Sequence, residues 1–279
     1  MSEYIDQMQA FLGQDDDNTV DSITILPGTN KSGDAENFDE LCIRKSEIVC
    51  IVGPTGSGKS RLLGDIEWVA KADTPTTRTV LINGATADNK YRFSSSHKLV
   101  AQLSQNMNFV MDLSVGEFIE LHAKSRLVEN ETEVIQKIFE AANHLAGESF
   151  ALDTPITSLS GGQSRALMIA DTAILSKSPI ILIDEIENAG IDRKKALQLL
   201  VGEEKIVLMA THDPILALMG DRRIVIKNGG IHKVIETSDE ERTILTELEQ
   251  MDNFMLNMRT QLRQGHILHL DQKINLVNI

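Results

Sequence analysis

Aromatic side chains are scarce in this chain. One Trp, two Tyr and eight Phe make up 4% of 279 residues. Reading single-stranded nucleic acid by stacking bases on aromatic platforms therefore has little to work with. Positive charge is short too: 27 Lys and Arg stand against 41 Asp and Glu, a net charge of −14. That removes the global basic field that DNA or anionic lipid surfaces require, and no nucleic-acid partner is expected. No uninterrupted apolar run reaches the roughly 18 residues of a membrane span, so the chain is not expected to cross a bilayer by itself. Its first residues, Met1-Ser-Glu-Tyr-Ile-Asp6, lack the basic region and apolar core of a signal peptide, and a cytoplasmic location is expected. Cysteine is nearly absent. Cys42 and Cys50 have no His or Cys neighbours, which disfavours a metal pair, and they read as two reduced, buried thiols. What is plentiful is hydrophobic residues, 42%, enough for a sizeable core.

The most informative stretch is Gly53, Pro54, Thr55, Gly56, Ser57, Gly58, Lys59 and Ser60. It fits G-x-x-x-x-G-K-[ST], the loop that wraps nucleotide phosphates. Glycines allow the tight backbone turn that aims successive N–H groups at an anion. A lysine in this place reaches the β- and γ-phosphates, and the Ser60 hydroxyl can ligate Mg²⁺. The context agrees. Glu47-Ile-Val-Cys-Ile-Val52 reads as a buried strand entering the loop, and Arg61 to Val69 as the helix leaving it, whose N-terminal end adds to the anion site.

Along the chain, residues 1–19 carry an acidic run and read as a loosely packed leader. Val20 to Leu26 alternates like a strand, and Pro27 to Asp34 is a turn cluster. Leu41–Ile43, Val49–Val52, Val80–Ile82 and Leu99–Ala101 read as further strands. From about 114 to 176 the apolar spacing becomes helical, which predicts a separate helical lobe, with Ser160 capping a helix that starts at Gly161. Strand and helix then alternate through Ile226, which predicts a mostly parallel sheet covered by helices. Residues 20–238 are expected to form one domain, and 239–279 an amphipathic helix with an apolar tail. In that helix Ile244, Leu248, Met251, Met255, Met258 and Leu262 follow a 4-3 spacing, suited to packing on the chain's own core or to docking a partner.

A second motif, Leu159-Ser-Gly-Gly-Gln163, completes an ordered series with which the chain resembles the ATP-binding cassette (ABC) ATPases. The glycine-rich loop comes first. Gln105 stands at a strand end where the family has its Q-loop glutamine, with Gln102 the competing assignment. The signature follows, then Pro179-Ile-Ile-Leu-Ile-Asp-Glu185 as the Walker B strand, Asp192 as the D-loop aspartate, and Thr211-His-Asp213 as the switch-histidine motif. The resemblance runs through most of residues 20–236. It implies an α/β fold: a P-loop NTPase core with a mostly parallel sheet plus antiparallel strands, and an inserted helical signature lobe.

The resemblance also implies roles. ATP and Mg²⁺ are the expected ligands. Gly53 to Ser60, with Arg61, hold the nucleotide; Ser60, Gln105 and Asp184 face the metal; Glu185 orients or deprotonates the attacking water; His212 contacts the γ-phosphate. Ser160, Gly161, Gly162 and Gln163 of the signature close on the nucleotide of a second subunit, and Asp192 is a further nucleotide-binding residue. The implied assembly is a head-to-tail homodimer, or a heterodimer with another ABC subunit. A membrane permease is the expected partner, which would place the chain at the inner face of the membrane. A soluble ATPase driving a protein or metallocofactor complex is the alternative, favoured by the unusual Asp184-Glu-Ile-Glu-Asn188 segment and the heptad-like tail. Three departures stand out. Glu187 adds a carboxylate near the site. Asp171 stands where arginine is common. No aromatic precedes the loop at the usual adenine-stacking distance, leaving Tyr4 or Phe11 of the leader, or aliphatic contacts.

Overall fold

The computed structural model describes residues 19–93, 98–103, 109–184 and 190–268. Two sheets organise it. The larger has six strands in the order β10-β9-β3-β8-β7-β6. These are β3 (Ile48–Val52), β6 (Val100–Leu103), β7 (Ile180–Asp184), β8 (Ile206–Ala210), β9 (Arg222–Lys227) and β10 (Gly230–Glu236). All its pairings are parallel except β9 with β10. The smaller sheet is antiparallel, in the order β2-β1-β4-β5: β1 (Ser22–Leu26), β2 (Leu41–Arg44), β4 (Thr79–Ile82) and β5 (Ala85–Thr86).

β3 and β8 are unbroken apolar runs, and β7 is apolar up to Asp184, because these central strands are covered on both faces. Side chains alternate between the faces. Ile180 and Leu182 join a core with the antiparallel sheet and with α1 (Lys59–Glu67). Ile181 and Ile183 join a second core against α5 (Gly161–Leu175), α6 (Arg193–Gly202) and α7 (Pro214–Met219). Cys50 falls in that second core. Burial pushes its thiol up to about 12, and it donates to Leu216 O at 3.2 Å, so it is inert at neutral pH.

A third core gathers α3 (Val115–Ser125), α4 (Glu131–Leu145) and the signature helix α5. α3 starts with a capping box between Ser114 and Glu117. In this block Asp171 is buried, and both of its oxygens contact His122 Nδ1, at 3.0 and 3.1 Å. The carboxylate that replaces the usual arginine therefore has a partner of its own. Phe109 packs edge-on against Phe118, whereas Val110 and Met111 are exposed. A short helix, α2 (Lys90–Phe93), follows the antiparallel sheet.

The chain continues into α8 (Asp239–Arg263), 25 residues long. Self-packing of its 4-3 stripe would bury that stripe, but no residue of α8 is buried, and Ile244, Met255 and Leu262 are about half exposed. The helix is held mainly by its charged side chains and by packing along α7. Among the described residues no helix is long and apolar enough to cross a membrane.

Candidate functional site

Strand register brings the motifs to one edge. Ile51 of β3 pairs with Ala210 of β8, and Ala210 pairs with Asp184 of β7. The three parallel strands therefore end together. The glycine-rich loop, Asp184 and the Thr211-His212-Asp213 segment all emerge at the carboxyl edge of the sheet. That edge is where open α/β sheets take their ligands.

The loop itself is shaped by what surrounds it. Gly58, the N-cap of α1, has φ +109°, and a Cβ there would meet Gly229 Cα at 2.6 Å. Only glycine fits both the backbone angle and the space. No side chain caps α1, so its first N–H groups have no side-chain partner. Pro54, Thr55, Gly56, Ser60 and Arg61 are exposed around this end. Lys59 Nζ folds back to donate to Gly53 O, at 2.9 Å, and lies 2.9 Å from His212 Nε2. An ammonium can only donate, so Nε2 is the acceptor in this contact. Two motifs separated by 153 residues thus meet through one hydrogen bond.

Two features that sequence reasoning missed support the loop. Lys31 Nζ donates to Gly56 O at 2.6 Å, from the turn cluster after β1. Beneath the loop, Ser57 O accepts from Gly229 N, and Gly229 O accepts from Arg78 Nη2 at 2.9 Å. Arg78 is fully buried between Glu36 and Asp65, at 2.6 and 2.8 Å. Burial alone would raise the Glu36 carboxyl, but Arg78 and the amides of Ile231 and Gly28 outweigh it and hold it below its usual range. Nothing in the local pattern around Arg78 or Lys31 marks either as a partner of the loop.

The signature residues lie elsewhere, at the start of α5. Ser160 Oγ accepts from Gln163 N, and Gln163 Oε1 accepts from Ser160 N. Both side chains thus serve a capping box. Ser160 and Gly161 are exposed, and a Cβ on Gly161 would meet open space. Asp192 caps α6 by accepting from Lys195 N at 3.1 Å, and its own N–H donates to Leu145 O. Gln105, Glu185 and Glu187 lie outside the described residues, as do the leader residues Tyr4 and Phe11.

This arrangement fits a phosphate ligand. The Ser57 hydroxyl is buried with no hydrogen-bond partner in the structure, in a loop that holds a lysine ammonium and an uncapped helix start. The hydroxyl of Ser60 and the carboxylate of Asp184 are hard oxygen donors of the kind Mg²⁺ takes.

Fold and site together define a P-loop α/β nucleotide-binding protein with a helical signature block. Residues 37–188 match the family model described as ABC transporter. The chain is 51% identical over 249 residues to an uncharacterized ABC transporter ATP-binding protein of Methanocaldococcus jannaschii, covering 89% of this chain and 95% of that protein. Among solved structures it resembles CbiO1 of Clostridium perfringens, part of the ABC transporter complex CbiONQ, with TM-score 0.59, 22% identity, and coverage of 84% and 99%. It also resembles a dimeric ATP-binding cassette in a post-hydrolysis state bound to ADP and Pi, with TM-score 0.54, 25% identity, and coverage of 77% and 99%. The chain belongs to the ABC transporter family of ATP-binding proteins and is an ABC ATPase.

Proposed function

We propose that this chain binds ATP with Mg²⁺ over the glycine-rich loop, hydrolyses it within a head-to-tail dimer, and is the motor subunit of a membrane transporter. The observation that carries the reading is the meeting of Lys59, His212 and the end of β7 at one sheet edge. In this reading the loop amides from Gly53 to Ser60, together with Lys59, hold the phosphates, Arg61 lies beside them, and His212 faces the γ-phosphate. Mg²⁺, held by Ser60, Asp184 and Gln105, neutralises developing charge on the phosphate oxygens. Glu185, next in the chain after Asp184, orients the attacking water. Ser160 to Gln163 and Asp192 serve the nucleotide of the second subunit.

Replacing the water-orienting carboxylate should leave phosphate binding intact. Glu185→Gln is therefore expected to keep ATP affinity while turnover falls by roughly 10²–10⁴. Wild-type turnover in that variant would move the role to another group, with Glu187 the first to test. The transport role rests on the names of the relatives and on an exposed Val110–Met111 segment beside the helical block. Affinity purification of the tagged chain from detergent-solubilised membranes is expected to yield a multispanning membrane protein in fixed stoichiometry. A stable complex with soluble proteins alone would refute it.

A further inference from the structure

One guanidinium ties three elements together next to the proposed site. Arg193 is the first residue of α6, directly after Asp192. Its Nη1 donates to Asp213 Oδ2 at 2.7 Å, and its Nη2 donates to Asp252 Oδ2 of α8 at 2.6 Å. Arg193 and Asp213 side chains are each only 19% exposed, so their attraction is stronger than that of a surface pair. A planar fork fixes the relative placement of both carboxylates in a way a lysine cannot.

Asp213 is the hinge of this arrangement. Its other oxygen, Oδ1, accepts from Ile215 N at 2.7 Å and Leu216 N at 3.1 Å, capping α7. Its own N–H donates to Thr211 Oγ1 at 3.0 Å. His212 lies between these two anchored residues, and its Nε2 meets Lys59. Whatever sets Asp213 therefore sets the backbone that carries His212. α8 is tied to the same region by Lys194 with Glu249, at 3.0 Å, and elsewhere by Arg223 with Glu241. With no residue of α8 buried, charged contacts carry much of its placement.

We infer that Arg193 is a positioning residue for ATP turnover: it holds the His212 segment through Asp213, with Asp252 on α8 as its anchor, so the seating of the C-terminal helix sets the rate. The inference rests on the role proposed above for His212. It implies that a partner displacing α8 changes turnover without touching the nucleotide.

The test uses the full-length chain and three readouts: kcat, ATP affinity and thermal melting. Asp252→Ala is expected to lower kcat about five- to tenfold, with ATP affinity within about twofold, as for positions that modulate a site without contacting it. The Asp252 side chain is 42% exposed, so the fold should tolerate the change. Asp252→Glu should restore most of kcat, and Arg193→Lys only part of it. Combining Arg193→Ala with Asp252→Ala should give a kcat no lower than Arg193→Ala alone, because the two act through one link. Full multiplication of the two losses would overturn the inference. So would a fall in melting temperature at unchanged kcat, which marks a staple and nothing more. His212→Ala separates the two readings. If it abolishes turnover while Arg193→Ala and Asp252→Ala run at the wild-type rate, this inference alone fails. If His212→Ala turns over normally, the proposed role of His212 fails and takes the inference with it.

Discussion

A guanidinium without solvent contact needs its charge answered inside the protein, and Arg78 shows how that requirement shapes the site. Glu36 and Asp65 answer the charge, and the remaining donor reaches the Gly229 carbonyl. Gly229 in turn touches Ser57 and is the residue against which Gly58 packs. Removing Arg78 would strand two buried carboxylates, so Arg78→Ala is expected to cost about 3–5 kcal/mol in urea unfolding. The pH dependence follows from Glu36. Its carboxyl is lowered from the ordinary 4.5 in the folded chain. Its stabilisation is therefore complete above the unfolded value and is lost as pH falls below 4.5 through the folded one. Acid unfolding curves should show this as a steeper loss in the wild type than in Glu36→Gln. Equal slopes would mean that the carboxyl contributes nothing to acid stability. None of this was legible in the sequence, because the partners are 42 and 13 residues from Arg78 and no local pattern links them.

Elements were more readable than contacts. Ile180–Ile183 and Ile206–Ala210 are apolar at every position, which only a doubly covered strand requires, and both are strands. Ser160 was expected to cap the signature helix and does. The strand β10 was missed: Gly230-Ile-His-Lys-Val-Ile-Glu236 has polar His232 and charged Lys233 in its middle because it lies at the sheet edge. For α8 the 4-3 spacing marked a helix but left open whether its stripe packs on the chain's own core or docks a partner, and the structure leaves the stripe unburied. Periodicity shows which residues share a face, not what covers that face. The exposure of the stripe sets what charge placed on it should cost. Met255 is 46% exposed and Met251 only partly covered. Met251→Asp with Met255→Asp is therefore expected to cost no more than about 1–2 kcal/mol, in the range of partly exposed substitutions. A loss of several kcal/mol in thermal melting would mean that the stripe is buried against the core after all.

At the scale of the whole molecule, motif order carried the family, and strand register explains why the motifs converge. β3, β7 and β8 were each legible as apolar strands ending in polar chemistry, and parallel pairing brings those ends to one edge. The signature does not join them within one chain: Ser160 and Gly161 start α5 on the helical block, exposed, with open space before Gly161. The capping box takes up the Ser160 and Gln163 amides and leaves those of Gly161 and Gly162 outside it, and such a solvent-facing helix start is suited to receive an anion presented by a second copy. Two such copies related by a twofold axis would form two equivalent composite sites. ATP would bridge the copies through its γ-phosphate and ADP would not, so nucleotide state becomes association state. Glu185→Gln, in which the proposed loss of hydrolysis should let ATP persist, is the background for the test. Sedimentation velocity should show a dimer with ATP and Mg²⁺ and a monomer with ADP. Adding Ser160→Arg should abolish the dimer while leaving ATP affinity of the monomer within about twofold, because in the proposed head-to-tail arrangement the arginine would block closure on the second copy's nucleotide. A dimer that forms equally with ADP, or one that survives Ser160→Arg, would place the subunit contact somewhere other than the signature.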